Sequence, residues 1–278
     1  MRFSMPARIN HNAHLSAIHR NLGVHFENAN RQMDQVASGH RVNRSSDDAA
    51  KLALANDIES ETRVLQEGGR NVQQSIQMLQ VAEGALAQIS DISRRMRELA
   101  VQSTTLAYSE SNRQSVNIEF QQLKNEVNRI AEFTSYNDLP LLDAERELAI
   151  QSGPSERSND ARIHIGDMRA SGSQLNLAAI SIDTIAGAQQ AIDFLDQAQD
   201  RVMEQRNEIA AFHNRLQMSA DTTATIVERM QGAESNIRDV DVARAVSSIT
   251  RSQILSQTAT GLAREADADI SRILSLLQ

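Results

Sequence analysis

No cysteine occurs in the 278-residue chain, so neither disulfides nor thiol chemistry can operate in it. Tryptophan is absent and aromatics make up only 3% of residues, which leaves a compact globule without its usual bulky core fillers. Three prolines and 11 glycines allow few turns, so the elements must be long. Nowhere do ~18 apolar residues run together, and no transmembrane helix is expected. The N-terminal MRFSMPARINHNAHL lacks a continuous apolar stretch and is not a Sec signal peptide. Export, if it happens, must use a different route.

Hydrophobic residues nevertheless reach 40%, too many for a disordered chain. With so few turns, that content points to long helices of coiled-coil type. The net charge of −8 disfavours general nucleic-acid binding. It is unevenly spread: residues 1–44 hold six Arg against Glu27 and Asp34, a net of +4. Residues 238–278 balance five Arg with five acids, which leaves −12 for the residues between. The apolar residues interleaved in the basic N-terminal arm favour a helix–helix role over membrane or acid binding.

Apolar residues recur at steps of three and four along most of the chain. Leu15, Ile18, Leu22, Phe26, Ala29, Met33 and Val36 mark a first helix. The stretch SGHRVNRSSDDAAKLALA at 38–55 then reads as a turn and a helix start near Ser46. Gly39 ends what precedes, and Ser45 and Asp48, three apart, are spaced for a capping box. Asp47 and Asp48 suit the positive end of a helix dipole. From there Ile58, Thr62, Leu65, Gly69, Val72, Ile76, Leu79, Leu86, Ile89, Ile92, Met96 and Leu99 continue one helix of roughly 55 residues.

A turn near Leu106–Ser111 follows, with Ser111 and Gln114 as the expected cap of a third helix through Val116, Phe120, Leu123, Val127 and Ile130. Asn137, Asp138 and Pro140 make 134–146 an expected loop. The period then changes to two at Leu148 and Ile150 and at Ile163 and Ile165, with GPSERSND between, which predicts a small β-hairpin. Ile192, Leu195, Val202, Ile209, Leu216, Thr223, Val227 and Met230 restore the helical stripe. Gln199, Arg206 and His213 fall on that stripe as polar positions able to fix the register of a helical bundle. A last segment carries Val242, Val246, Ile249, Leu262, Ala266, Ile270, Ile273 and Leu277. The expected fold is mainly α: long antiparallel coiled-coil-like helices with a small β-hairpin. A lone amphipathic helix does not bury enough to offset its ordering entropy. Each terminal stripe therefore needs a second helix, from the same chain and from neighbouring copies.

Catalytic chemistry finds no foothold. No phosphate-cradling glycine loop, nucleophile elbow or two-histidine zinc helix is present. His11 and His14 lie three apart but lack a third ligand at metal spacing, His164 is expected to be exposed on its strand, and His213 to be a hydrogen-bonded interior residue. Asp47 and Asp48 are explained by capping, while Asp239 and Asp241 suit caps or a solvated face. No catalytic, cofactor-binding or metal residues are assigned, and the reading is not an enzyme.

SGHRVNRSSDDAAKLALA resembles the N-terminal signature of bacterial flagellins. RRMRELAVQS at 94–103, AESNIRDVDVARAV at 233–246, QILSQTATGLAREAD and the ending ILSLLQ are similar to further flagellin segments, in the same order. The resemblance covers about the first 135 and last 95 residues. Departures occur at His40, where the family more often has Lys or Met, at Ala50 (Pro or Ser), and at AREADADISR. MRFSMPAR carries extra residues, with Met5 as an alternative start, and RIHIGDM is similar to a strand of the compact spirochaete flagellins.

The resemblance implies a filament subunit exported unfolded through the flagellar type III channel. Its terminal helices would line an inner tube, and its long helices would form an outer rod. The implied division is 1–44 and 237–278 for assembly, 45–135 and 181–236 for the rod, and 136–180 for the loop and hairpin. Assembly residues would be Leu15, Ile18, Leu22, Phe26, Ile249, Leu262, Ile270, Ile273 and Leu277. Gly39, Arg41, Asn43, Arg44, Ser45, Asp47 and Asp48 would turn the chain from tube to rod, with Arg41 and Arg44 reaching acids of the same or an adjacent subunit, such as Asp239 or Asp241. Arg95, Leu99 and Glu119 match the contact that a vertebrate Toll-like receptor makes with some flagellins. Implied partners are further copies, other flagellins, an export chaperone, and cap and hook-junction proteins, with no nucleic acid and no membrane insertion. The implied location is the extracellular filament, sheathed and periplasmic filaments remaining open. The alternatives are a hook–filament junction protein and a coiled-coil signalling rod.

Overall fold

A computed structural model describes residues 13–151, 153 and 161–276. Five helices and four short strands are found among them: α1 (Ala13–Ser38), α2 (Ser45–Ser103), α3 (Glu110–Phe133), β1 (Ser135–Tyr136), β2 (Leu139–Pro140), β3 (Arg146–Ile150), β4 (Ala161–Ile165), α4 (Ile185–Arg238) and α5 (Val242–Leu276). The expected long helices and the β3–β4 hairpin form, joined by a second, shorter hairpin of β1 and β2. Most of the GPSERSND connection, His11 and Leu277 lie outside the described residues. No described helix is long and apolar enough to cross a membrane.

The chain divides into two compact units, residues 61–229 and residues 1–60 with 230–278. The latter unit takes in the first turns of α2 and the last of α4 along with the terminal helices.

Residues 61–229 carry the main core. Leu79, Leu86, Ile89, Met96 and Leu99 of α2 meet Phe120, Val127 and Ile130 of α3 and Leu195, Val202, Ile209 and Leu216 of α4, all buried. These are the predicted stripes, folded onto one another as helical periodicity requires. The polar positions on the α4 stripe find partners at a matching seven-residue step. Gln199 donates to Ser90 Oγ at 2.7 Å, and Arg206 donates from Nε and Nη2 to Glu83 Oε1 at 2.9 and 2.8 Å. His213 instead lines a groove of about 270 Å³ with Leu79, Gln80, Glu83, Ile209, Ala210 and Asn214, half-buried rather than interior.

The cap of α3 differs from expectation. Ser109, not Ser111, is the N-cap, its side chain accepting from Asn112 N–H. The expected loop at 134–146 contains the two-stranded β1–β2 hairpin. Asn137 and Asp138 sit at φ 49° and 62°, the pair of left-handed residues that a two-residue type I′ turn requires. β3 and β4 pair antiparallel with Leu148 opposite Ile163, as the period of two predicts. His164 is exposed and meets Glu145 at 2.8 Å.

Residues 166–184 supply an irregular cover that periodicity did not reveal. Met168, Leu175, Leu177, Ile180 and Ile182 are buried in it. Its backbone is fastened by side chains of α2 and α3: Ser103 Oγ donates to Ile182 O at 2.6 Å, Gln121 Nε2 to Ile180 O at 3.1 Å, and Asn117 Oδ1 accepts from Ile182 N–H at 3.1 Å. Gln205, buried on α4, accepts from Gly166 N–H and donates to His164 O, both at 2.9 Å, which ties the end of β4 to the helix. Gly172 is demanded by packing, since a Cβ there would lie 2.5 Å from Asp167 Oδ1.

Candidate functional site

Two features of the unit formed by residues 1–60 and 230–278 stand out: a pair of zipped turns, and an α1–α5 pair whose large apolar side chains remain outside.

The first turn begins at Gly39, whose φ of 74° ends α1 in the left-handed conformation that glycine adopts without strain. It meets the α4–α5 turn through Val240 N–H to Gly39 O at 3.0 Å and Arg41 N–H to Arg238 O at 2.6 Å. These bonds frame an antiparallel bridge between His40 and Asp239. Val42 beside it is fully buried. Arg41 also donates its guanidinium to Ile237 O. Within the chain, the expected pairing of Arg41 and Arg44 with Asp239 or Asp241 is therefore corrected. The last carbonyls of α4 lack intrahelical donors, and Arg41 satisfies them at the negative end of the helix dipole. Arg44 pairs with Asp34 at 3.2 Å. Asp239 lies next to His40, and Asp241 caps α5 by accepting from Arg244 N–H at 3.0 Å.

Capping at the start of α2 is also rearranged. Asp47 Oδ2 accepts from Asn43 and Arg44 N–H at 3.2 and 3.1 Å, holding the turn closed. Asp48, in an extended conformation (φ −165°, ψ 96°), is the effective N-cap, accepting from Lys51 N–H at 3.0 Å. The Ser45–Asp48 box does not form, because Asp48 caps the next turn of helix instead of reaching back. That backbone hydrogen bond from Lys51, followed by its side chain, holds the Asp48 carboxyl below the usual carboxylate range.

Helix α1 packs along α5. The residues buried in this unit are mostly small or polar: Ala29 and Gln35 of α1, and Ala245, Ser252 and Ser256 of α5. Leu15, Ile18, Leu22 and Ile249 are half-buried on this paired layer. Of the expected assembly residues, Phe26 and Leu262 stand outside it, 54% and 52% exposed. Val24, Met33, Val242, Val246, Ile254 and Leu255 join them as exposed apolar side chains. Ile270 and Ile273 lie on α5, their side chains outside the described residues. Bulky residues left in water while small ones occupy the seam invert the usual order of a two-helix core.

In residues 61–229, Arg95 donates to Glu119 Oε1 from Nε and Nη2 at 3.3 and 3.0 Å and to Glu98 at 3.0 Å. The hydrogen bond with Glu119, then that with Glu98, holds the guanidinium above its ordinary value. Leu99 is only 2% exposed and belongs to the core, so the exposed part of the expected three-residue patch is the Arg95–Glu119 pair.

Residues 9–147 match the family model of the bacterial flagellin N-terminal helical region, and residues 192–277 match that of the C-terminal helical region. A flagellin of Halalkalibacterium halodurans is 35% identical over 97% of this chain and 99% of its own. A 31.3 kDa flagellar filament core protein of Treponema maltophilum is 33% identical, with the same coverage of 97% and 99%. A solved structure of a candidate flagellar hook-associated protein from Vibrio parahaemolyticus shares the fold at TM-score 0.56 and 12% identity, over 69% of this chain and 100% of that one.

Proposed function

Because the chain belongs to the bacterial flagellin family, whose members are structural subunits of the flagellar filament, we propose that it polymerises through the outer faces of α1 and α5. The observation that carries this reading is the set of eight bulky apolar side chains left exposed on those two helices. In a solitary molecule such a surface is a liability. Copies stacked by a contact between two different patches would cover it, and a contact of that kind does not close on itself but generates an open helical polymer.

In this reading Phe26, Leu262 and their exposed neighbours bind adjacent subunits. Leu15, Ile18, Leu22 and Ile249 hold the α1–α5 pair, and Ile270, Ile273 and Leu277 are further proposed assembly residues. Residues 39–48 carry the chain from the tube of terminal helices into the rod. The subunit reaches the tip through the flagellar type III channel, attended by an export chaperone that covers α5, and assembles between hook-junction and cap proteins outside the cell. The Arg95–Glu119 surface is the proposed contact for a Toll-like receptor.

Electron microscopy of purified chain, seeded with its own fragments, tests the reading. Full-length protein should form long filaments, whereas chains lacking residues 1–44 or 237–278 should not. A truncated chain that still grows into filaments, or a full-length chain that stays monomeric at high concentration, overturns it.

A further inference from the structure

The two turns at the base of α1 and α5 contain a charge arrangement that zipping alone does not require. The bonds Arg41 N–H to Arg238 O and Val240 N–H to Gly39 O flank His40 and Asp239 without joining them directly. In an antiparallel pair, residues so placed are the close, non-hydrogen-bonded kind, with side chains adjacent on one face. His40 Nδ1 lies 3.5 Å from Asp239 Oδ1, yet that nitrogen is buried and makes no hydrogen bond. The other carboxylate oxygen, Asp239 Oδ2, accepts from Ser235 Oγ at 2.5 Å, which aims the carboxylate.

We infer that His40 and Asp239 are a proton-operated latch that fastens the two turns in mildly acidic medium and loosens as the ring gives up its proton. A neutral imidazole presents at best one misaligned donor to the carboxylate. A protonated ring carries a donor on both nitrogens, so Nδ1–H faces Asp239 as a charge-assisted partner. Histidine is the side chain that makes this change near neutral pH.

The surrounding charges leave Asp239 as the group able to respond. On the His40 turn, Arg41 is held by Ile237 O and Arg44 by Asp34 of α1. On α4, Arg238 is shared between Glu234 and Glu59 of α2. Asp241, at the start of α5, is taken by Arg244 and the cap. The inference rests on the assembly role of α1 and α5, because the latch sits where both helices join the rest of the chain.

The test compares the full-length chain with His40→Gln, which cannot take up the proton, and Asp239→Asn, which keeps the size of the side chain but not its charge. Two quantities are measured at about pH 8 and about pH 6: the critical concentration for seeded elongation, and hydrogen exchange of peptides spanning 39–42 and 238–241 after correction for intrinsic rates. On acidification both the critical concentration and the corrected exchange rate should fall about two- to five-fold further in the unsubstituted chain than in either variant, the range expected of a partly exposed ion pair. Identical pH responses in all three chains would overturn the latch. Because the comparison is between variants, the other six histidines cancel. If none of the chains elongates at either pH, the assembly reading fails, and the exchange comparison alone decides the latch.

Discussion

Arg206 grips Glu83 with two nitrogens on a single carboxylate oxygen, and seven residues along each helix Gln199 bonds Ser90. Matching seven-residue steps mean that α2 and α4 can satisfy both pairs only in one antiparallel register. A slip by one heptad would set Glu83 against Gln199 or His213 and break both pairs. Arg206→Met should therefore lower stability by about 1 kcal/mol, since the pair is partly exposed. Glu83→Gln combined with Arg206→Met should recover part of that loss. A double-mutant cycle by thermal unfolding measures the coupling. A coupling near zero would mean that apolar packing alone sets the register.

Gln205 does for the hairpin what a strand would do. Its amide satisfies one backbone N–H and one backbone carbonyl at the end of β4. Gln205→Leu should cost about 2–4 kcal/mol, because both groups lose their partner in a buried site. Urea unfolding reads the loss, and faster hydrogen exchange confined to β3 and β4 would assign it to the hairpin. A change below about 0.5 kcal/mol would show that water replaces the amide at no cost.

Much of this architecture was legible from periodicity. The steps of three and four located five helices, the period of two located β3 and β4, and Gln199 and Arg206 stood out as polar residues on an apolar stripe. What stayed hidden has physical causes. Asn137 and Asp138 can occupy left-handed conformations, but neither demands one as glycine would, so β1–β2 looked like a loop. Residues 166–184 bury their apolar side chains without any regular period, because side-chain hydrogen bonds from Ser103, Asn117 and Gln121 hold that backbone in place of a ladder. In α5 the eye follows bulk, whereas the seam is Ala245, Ser252 and Ser256. Leu262, expected at an assembly surface, stands outside that seam. Arg41 was matched to carboxylates because sequence shows charges but not the open carbonyls at a helix end.

Lys124 donates to Ala178 O at 3.0 Å and to Ile180 O at 3.4 Å. Burial pushes its amine below the ordinary lysine value. With the folded value lower than the unfolded one, the folded chain sheds this proton first. The cost of the buried charge is carried in full at neutral pH and disappears as pH rises through the interval between the two values. Relative to Lys124→Gln, the unsubstituted chain should gain thermal stability between about pH 8 and about pH 11. A difference between the two chains that is flat or falls with pH would contradict the assignment.

The α1–α5 pair separates two kinds of substitution that a filament assay alone would confuse. Ile254, 57% exposed, touches the proposed partner surface but not the seam, whereas Ser252 is buried in the seam. Ile254→Ser removes apolar surface worth on the order of 1.5 kcal/mol per contact once neighbours cover it. It should raise the critical concentration for elongation about ten-fold, since 1.4 kcal/mol corresponds to one decade. Helix content of the filaments that do form should stay unchanged. Ser252→Leu puts a larger side chain at a buried position and costs about 1–3 kcal/mol in strain. It should weaken elongation too, but with increased hydrogen exchange along both α1 and α5. If Ile254→Ser elongates like the unsubstituted chain, the exposed stripe is not the contact between copies, and the assembly surface lies elsewhere on the molecule.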